Sequence, residues 1–154
     1  MTTPETDPDS REFATTVLAA DRFTAAPDGS DVRVLTRLAD SASMAHFEIG
    51  PGQTSVAVHH RSVGELWFVL RGRGAMWRRD AAGGEEVVEL RAGTSVSIPL
   101  GTQFQFRSFG HEPLSALGVT VPGWPIDPAA PDEAIAVRGR WEATLEPGPG
   151  LGRS

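Results

Sequence analysis

Residues 52–72, GQTSVAVHHRSVGELWFVLRG, carry the reading that decides the fold. Glycine opens and closes the stretch, and two short apolar runs, 54–60 and 66–70, lie between. Short apolar or alternating runs bounded by turn residues read as strands. Successive side chains of a strand point to opposite faces. Val58 and His60 therefore share one wall, and Glu65 and Trp67 share the wall of the next strand, while His59 points the other way.

Further runs on either side repeat the pattern. Residues 31–38 and 45–49 precede it, and 75–79, 86–90, 95–98, 103–109 and 114–121 follow. Turn signals separate them: Gly50-Pro51-Gly52, Gly72-Arg73-Gly74, the hairpin 80–84 (DAAGG), Ala92-Gly93 and Pro99-Leu100-Gly101. Glycine ends strands where a sharp turn needs positive φ, and proline starts a turn without needing a donor. About nine short, evenly spaced strands predict an all-β antiparallel sandwich or barrel. Residues 132–136, after Pro131, are the single helical candidate, and 122–125 (PGWP) are too proline-rich for a strand interior.

The 154 residues are one domain's worth. Residues 1–11 read as a disordered N-terminal arm, 12–145 as the barrel domain with its motif core at 30–121, and 146–154 as a flexible tail whose prolines and glycines oppose any regular element. Composition excludes several chemistries. All 14 basic residues are arginine, and cysteine and tyrosine are absent. Schiff-base lysines, thiol nucleophiles, disulfides and zinc fingers are excluded with them. A net charge of −6 without a basic run predicts no nucleic-acid partner. With no signal-peptide core and no long apolar run, the reading is no membrane association and a cytoplasmic location.

Two stretches together resemble the cupin family of small β-barrels. The first family motif is glycine, five residues, His-x-His, three or four residues, glutamate, six residues, glycine. Gly52, His60, Glu65 and Gly72 keep it, while Val58 stands where the first histidine belongs. The second is glycine, five residues, Pro-x-Gly, two residues, histidine, three residues, asparagine. Gly93, Pro99 and Gly101 keep it, while Phe104 and Ser108 occupy the histidine and asparagine positions. The resemblance implies a single-domain, cupin-like antiparallel β-barrel of jelly-roll type. It also implies a divalent metal inside the barrel, held by the two histidines, the glutamate and the later histidine.

Val58 and Phe104 cannot ligate, which leaves His60 and Glu65. Functional metal sites usually use three or four protein ligands. The expectation is therefore no cofactor. A weaker iron, manganese or zinc site remains open if a one-residue slip turns His59 or Gln103 inward beside His60 and Glu65. The alternative use of His60 and Glu65 is catalytic proton transfer near neutral pH. A third reading is a hydrogen-bonded pair that only shapes the barrel.

Trp67, Phe104 and Phe106 are expected to line an apolar substrate pocket, with Arg61, Gln103 and Arg107 as further substrate-binding candidates. An inward Arg107 would clamp a carboxylate or phosphate. Trp124 and Trp141 would lid the barrel mouth or pack an interface. The expected function is a small-molecule enzyme of isomerase, cyclase or lyase type, independent of metal. The alternatives are a non-catalytic ligand-binding cupin and a metal-dependent oxygenase with an incomplete ligand set. The expected partner is a second copy, docked through the early strands between Arg33 and Ile49 to cover an open edge and an apolar face.

Overall fold

A computed structural model describes residues 13–19, 23–124 and 133–153. The expected arm at 1–11, Pro125, Asp132 and Ser154 lie outside the described residues. The strands are β1 (Thr24–Ala25), β2 (Asp31–Leu38), β3 (Ala42–Ile49), β4 (Val58–His60), β5 (Gly64–Arg71), β6 (Arg73–Arg79), β7 (Glu85–Arg91), β8 (Ser95–Ile98), β9 (Gln103–Ser108), β10 (Leu114–Val121), β11 (Ala134–Ala136) and β12 (Leu151–Arg153). They form two six-stranded sheets, β1-β2-β3-β10-β5-β8 and β12-β11-β4-β9-β6-β7. Every pairing is antiparallel except β11 with β12. The two sheets face each other as the walls of a jelly-roll barrel, as the strand pattern predicts. Among the described residues, no helix is long and apolar enough to cross a membrane.

The register decides which residues meet inside. On the first sheet Glu65, Trp67 and Val69 of β5 stand opposite Thr120, Gly118 and Ala116 of β10. On the second, Val58 of β4 faces Phe104 of β9, and Phe106 faces Met76 of β6. The apolar ones among them, with Phe47, Leu90, Val96 and Ile98, make one continuous buried core.

Two glycines are fixed by crowding. A Cβ on Gly118 would sit 2.5 Å from the Phe47 ring. Phe47 and Trp67 stack over that bare backbone with ring centres 5.1 Å apart and planes 11° apart. Gly72 ends β5's turn with φ of 87°, and a Cβ there would lie 2.3 Å from the Pro113 carbonyl oxygen.

Three expectations are corrected. The predicted strand 54–60 is a regular ladder only at Val58–His60; before it the pairing is broken, with a lone bridge of Thr54 to Arg107 and the Val56 N–H given to the Asp28 carbonyl. The helical candidate is strand β11, because five residues cannot nucleate an isolated helix and β4 offers an open edge, pairing Ala134 with His60. The tail carries β12, which pairs in parallel with β11.

The C-terminal segment also covers the outer face of the second sheet. Gln105, 1% exposed, donates its amide N–H to the Trp141 carbonyl at 2.8 Å and accepts the Trp141 N–H at 2.9 Å. Thr54 and Thr144 bond to each other alongside.

Gly118→Ala is expected to wedge a methyl group under the Phe47–Trp67 stack and to cost about 1–3 kcal/mol, the usual penalty of overpacking. Urea titration checks this. An unchanged midpoint would mean that the rings are free to slide.

Candidate active site

β4 presents Val58 and His60 to the interior and turns His59 to the other face, in register with Ile135 of β11. His60 is 6% exposed. Its Nδ1 lies 2.7 Å from Glu133 Oε2, and its Nε2 lies 3.6 Å from Glu65 Oε2. An ionised carboxylate only accepts, so Nδ1–H donates to Glu133 and Nε2 is left facing Glu65. The Trp124 ring meets His60 edge-on at 4.7 Å, and Phe104 lies 5.6 Å away.

Both carboxylates are anchored. Ser62 donates to Glu133 Oε1 at 2.9 Å, and the Glu133 carbonyl accepts the Arg61 N–H. Glu65 Oε2 accepts the Trp67 indole N–H at 3.3 Å. Glu65 Oε1 is buried with no hydrogen-bond partner among the described residues. Behind the pair lies Asp28, also buried, whose Oδ1 accepts the N–H and hydroxyl of Ser30 at 2.9 and 2.6 Å.

The electrostatics follow from burial and these neighbours. Burial opposes charge on His60, but attraction to Glu65, the hydrogen bond and charge of Glu133, and the charge of Asp28 outweigh it, so the imidazole pKa is raised. Burial raises the Glu65 carboxyl against the attraction of His60. Burial raises Asp28 too, partly offset by the bonds from Ser30. Burial pushes Glu133 up, but the bond and charge of His60 and the bonds from Ser62 prevail and hold its pKa low. His60 and Glu133 thus form an ion pair, while Glu65 holds its proton more tightly than it would in water.

The structure gathers five of the expected site residues. His60, Glu65, Trp67, Phe104 and Phe106 meet in the interior, with Trp67 edge-on to Phe106 at 4.9 Å and to Phe104 at 6.3 Å. Three expected substrate contacts lie elsewhere. Arg61 is exposed beyond the end of β4. Gln103 stands opposite Arg79, in the outward parity of β9. Arg107 shares that parity, and its guanidinium stacks over Trp141 at 4.4 Å, so it forms no interior clamp. The strand slip that would turn His59 and Gln103 inward is not adopted, since Val58 pairs with Phe104. Glu133, Asp28 and Trp124 complete the cluster. No local motif marks Glu133, which lies 73 residues from His60 in sequence.

The four-ligand metal set does not fit these residues. Val58 and Phe104, each 1% exposed, fill two ligand positions with hydrocarbon. Glu133 engages one of the two nitrogens of His60. Among the described residues, no three histidine or carboxylate side chains are grouped to hold a metal ion.

A cupin domain model matches residues 45–120. No curated protein matches the chain. Among solved structures, an oxalate oxidase superposes with a TM-score of 0.59 at 22% identity, covering 71% of this chain and 59% of its own. The *Lactobacillus farciminis* oxalate decarboxylase formate complex superposes at 0.56 with 23% identity, covering 62% of this chain; this chain spans 30% of that one. An uncharacterised conserved protein with a double-stranded β-helix domain from *Klebsiella pneumoniae* gives 0.53 at 19% identity, covering 74% of this chain and 91% of its own. At these identities the likeness establishes the fold.

Two outcomes are expected. Val58→His with Phe104→His should rebuild the ligand set and retain about one zinc or manganese per chain after dialysis. Metal analysis would show it, and a metal-free double variant would mean that Glu133 withholds His60. The second concerns pH. The raised His60 pKa gives stability that is lost as pH rises through it, and the lowered Glu133 pKa gives stability that is lost as pH falls through it. The margin of the parent over Glu133→Gln should therefore narrow at both ends. A margin constant from about pH 5 to 9 would show that His60 does not change charge there.

Proposed function

The chain belongs to the cupin superfamily, and we propose that within it this barrel is a metal-independent acid–base enzyme of isomerase, cyclase or lyase type acting on a small, largely apolar molecule. The observation that supports this reading is the buried array Glu133–His60–Glu65 among aromatic rings.

Each member has a part. Glu133 orients the imidazole and favours its charged form, so His60 Nε2 is the group presented to a reactant. Glu65, whose carboxyl is raised by burial, is the second proton carrier. At 3.6 Å the two can act on one reactant: a protonated member gives its proton to one atom and, so emptied, takes a proton from another. Isomerisation, cyclisation and elimination all need that exchange. The rings of Trp67, Phe104, Phe106 and Trp124 hold an apolar body and keep water away, which strengthens each charge inside. Oxalate, named for two of the structural relatives, is a dianion, and a site with three buried carboxylates is ill suited to it.

The second copy expected from the sequence belongs to this proposal. Leu66, Phe68 and Leu70 are exposed in a row on the outer side of β5, and residues 13–19 carry exposed Phe13 and Val17 past β2. Light scattering should give the dimer mass, and Phe68→Glu the monomer.

On a substrate found by turnover screening, His60→Ala and Glu65→Gln are each expected to lower kcat by ~10²–10⁴ with folding retained. Glu133→Gln should move the His60-dependent limb of the pH profile to lower pH. Activity should survive chelator. Loss on chelation with recovery on adding metal would support a metal-dependent reading. Altered affinity in both variants, with no product from any candidate, would support a binding protein.

A further inference from the structure

The charge inside the barrel is unbalanced. Asp28, Glu65 and Glu133 are all buried around one histidine. Among the described residues no ion pair joins an arginine to them: Arg107 stacks on the outer face, and Arg37 donates to the carbonyls of Trp124 and Ala39. Arg78 turns to Ser97 and Glu86 at the end of the barrel, and the chain has no lysine. Glu133 is matched by His60, so the carboxylate that faces the aromatic side without a matched donor is Glu65.

We infer that this site takes a protonated amine carried on an apolar or aromatic body and turns carboxylates away. The inference rests on the His60–Glu65 site being the place where ligand binds, and it adds the charge of that ligand. Two observations beyond the acidic cluster carry it. The first is Glu65 Oε1, a buried acceptor with no partner among the described residues. A buried acceptor left unpaired costs roughly 1–3 kcal/mol. An ammonium group has donors only, so it satisfies that oxygen without presenting a lone pair to the other carboxylates. The second is the set of rings beside it. Trp67 bonds to the other oxygen of the same carboxylate, and Phe104, Phe106 and Trp124 stand around the His60–Glu65 pair. Aromatic faces attract cations, most strongly where water is excluded. A carboxylate ligand would meet the same rings with the wrong sign and would face three acids at short range.

The test uses the full chain and three probes of one shape: 2-phenylethylamine, 2-phenylethanol and phenylacetate. Titration calorimetry reads the affinity of each. The amine should bind at least about tenfold more tightly than the alcohol, and phenylacetate should give no binding heat. Glu65→Gln should remove the advantage of the amine while leaving the alcohol bound. Equal affinities for amine and alcohol, or no binding of any probe, would overturn the inference. Tighter binding of phenylacetate, lost in His60→Gln but kept in Glu65→Gln, would overturn it too, yet leave the acid–base reading in place. Amine binding that neither substitution alters would put the ligand elsewhere and remove the premise as well.

Discussion

An imidazole enclosed by tryptophan and phenylalanine rings is largely withdrawn from solvent, and the 2.7 Å hydrogen bond from His60 to Glu133 supports its charge instead. The bond does more than hold a proton. Glu133 stands immediately before β11, and β11 is the strand that pairs with β4 on the side away from β9. The same few residues therefore close the edge of the second sheet and fix the ring that faces the interior. Backbone pairing and side-chain chemistry are joined at one point, from Ala134 opposite His60 to the Glu133 carboxylate on Nδ1.

The interior has exchanged ligands for packing. Val58 and Phe104 are direct cross-strand neighbours, and both project into the space that a four-ligand metal centre would need. Phe104 meets His60 and the edge of Trp67, and Trp67 in turn lies flat on Phe47 over Gly118. These rings raise the cost of any charge left among them, which is why the Glu65 and Asp28 carboxyls rise while Glu133, bonded to His60, falls. Carboxyl groups displaced in opposite directions around one histidine are what the proposed proton transfer would draw on.

The outer face of the second sheet shows how much of the chain serves support. Gln105 alternates outward, as a polar residue on a half-solvated strand should, yet it is fully buried because the segment around Trp141 crosses over it. Arg107, which in isolation resembles an anion clamp, is the aromatic partner of that crossing segment. The polar groups of β9 thus hold the C-terminal residues onto the sheet, while its phenylalanines serve the site.

The local sequence carried the strands, their turns and the inward face of the central ones. Alternation is a property of each strand alone, and the glycines at 52, 72, 93 and 101, all at positive φ, mark turns that few other residues can make. From those rules His60 shares a wall with Val58 and Glu65 with Trp67, and the resemblance to the cupin motifs favours Phe104 and Phe106 inward. The same rules could not find Glu133 or Asp28, nor assign Arg107 its outer partner, nor see that residues 134–136 and 151–153 are strands. A strand this short has no period to read, and a carboxylate that meets its histidine across a separation of 73 positions leaves no local trace. Tertiary structure decided these features, because the edge of β4, the burial of Glu65 and the shelter over Gln105 exist only once distant segments have packed together.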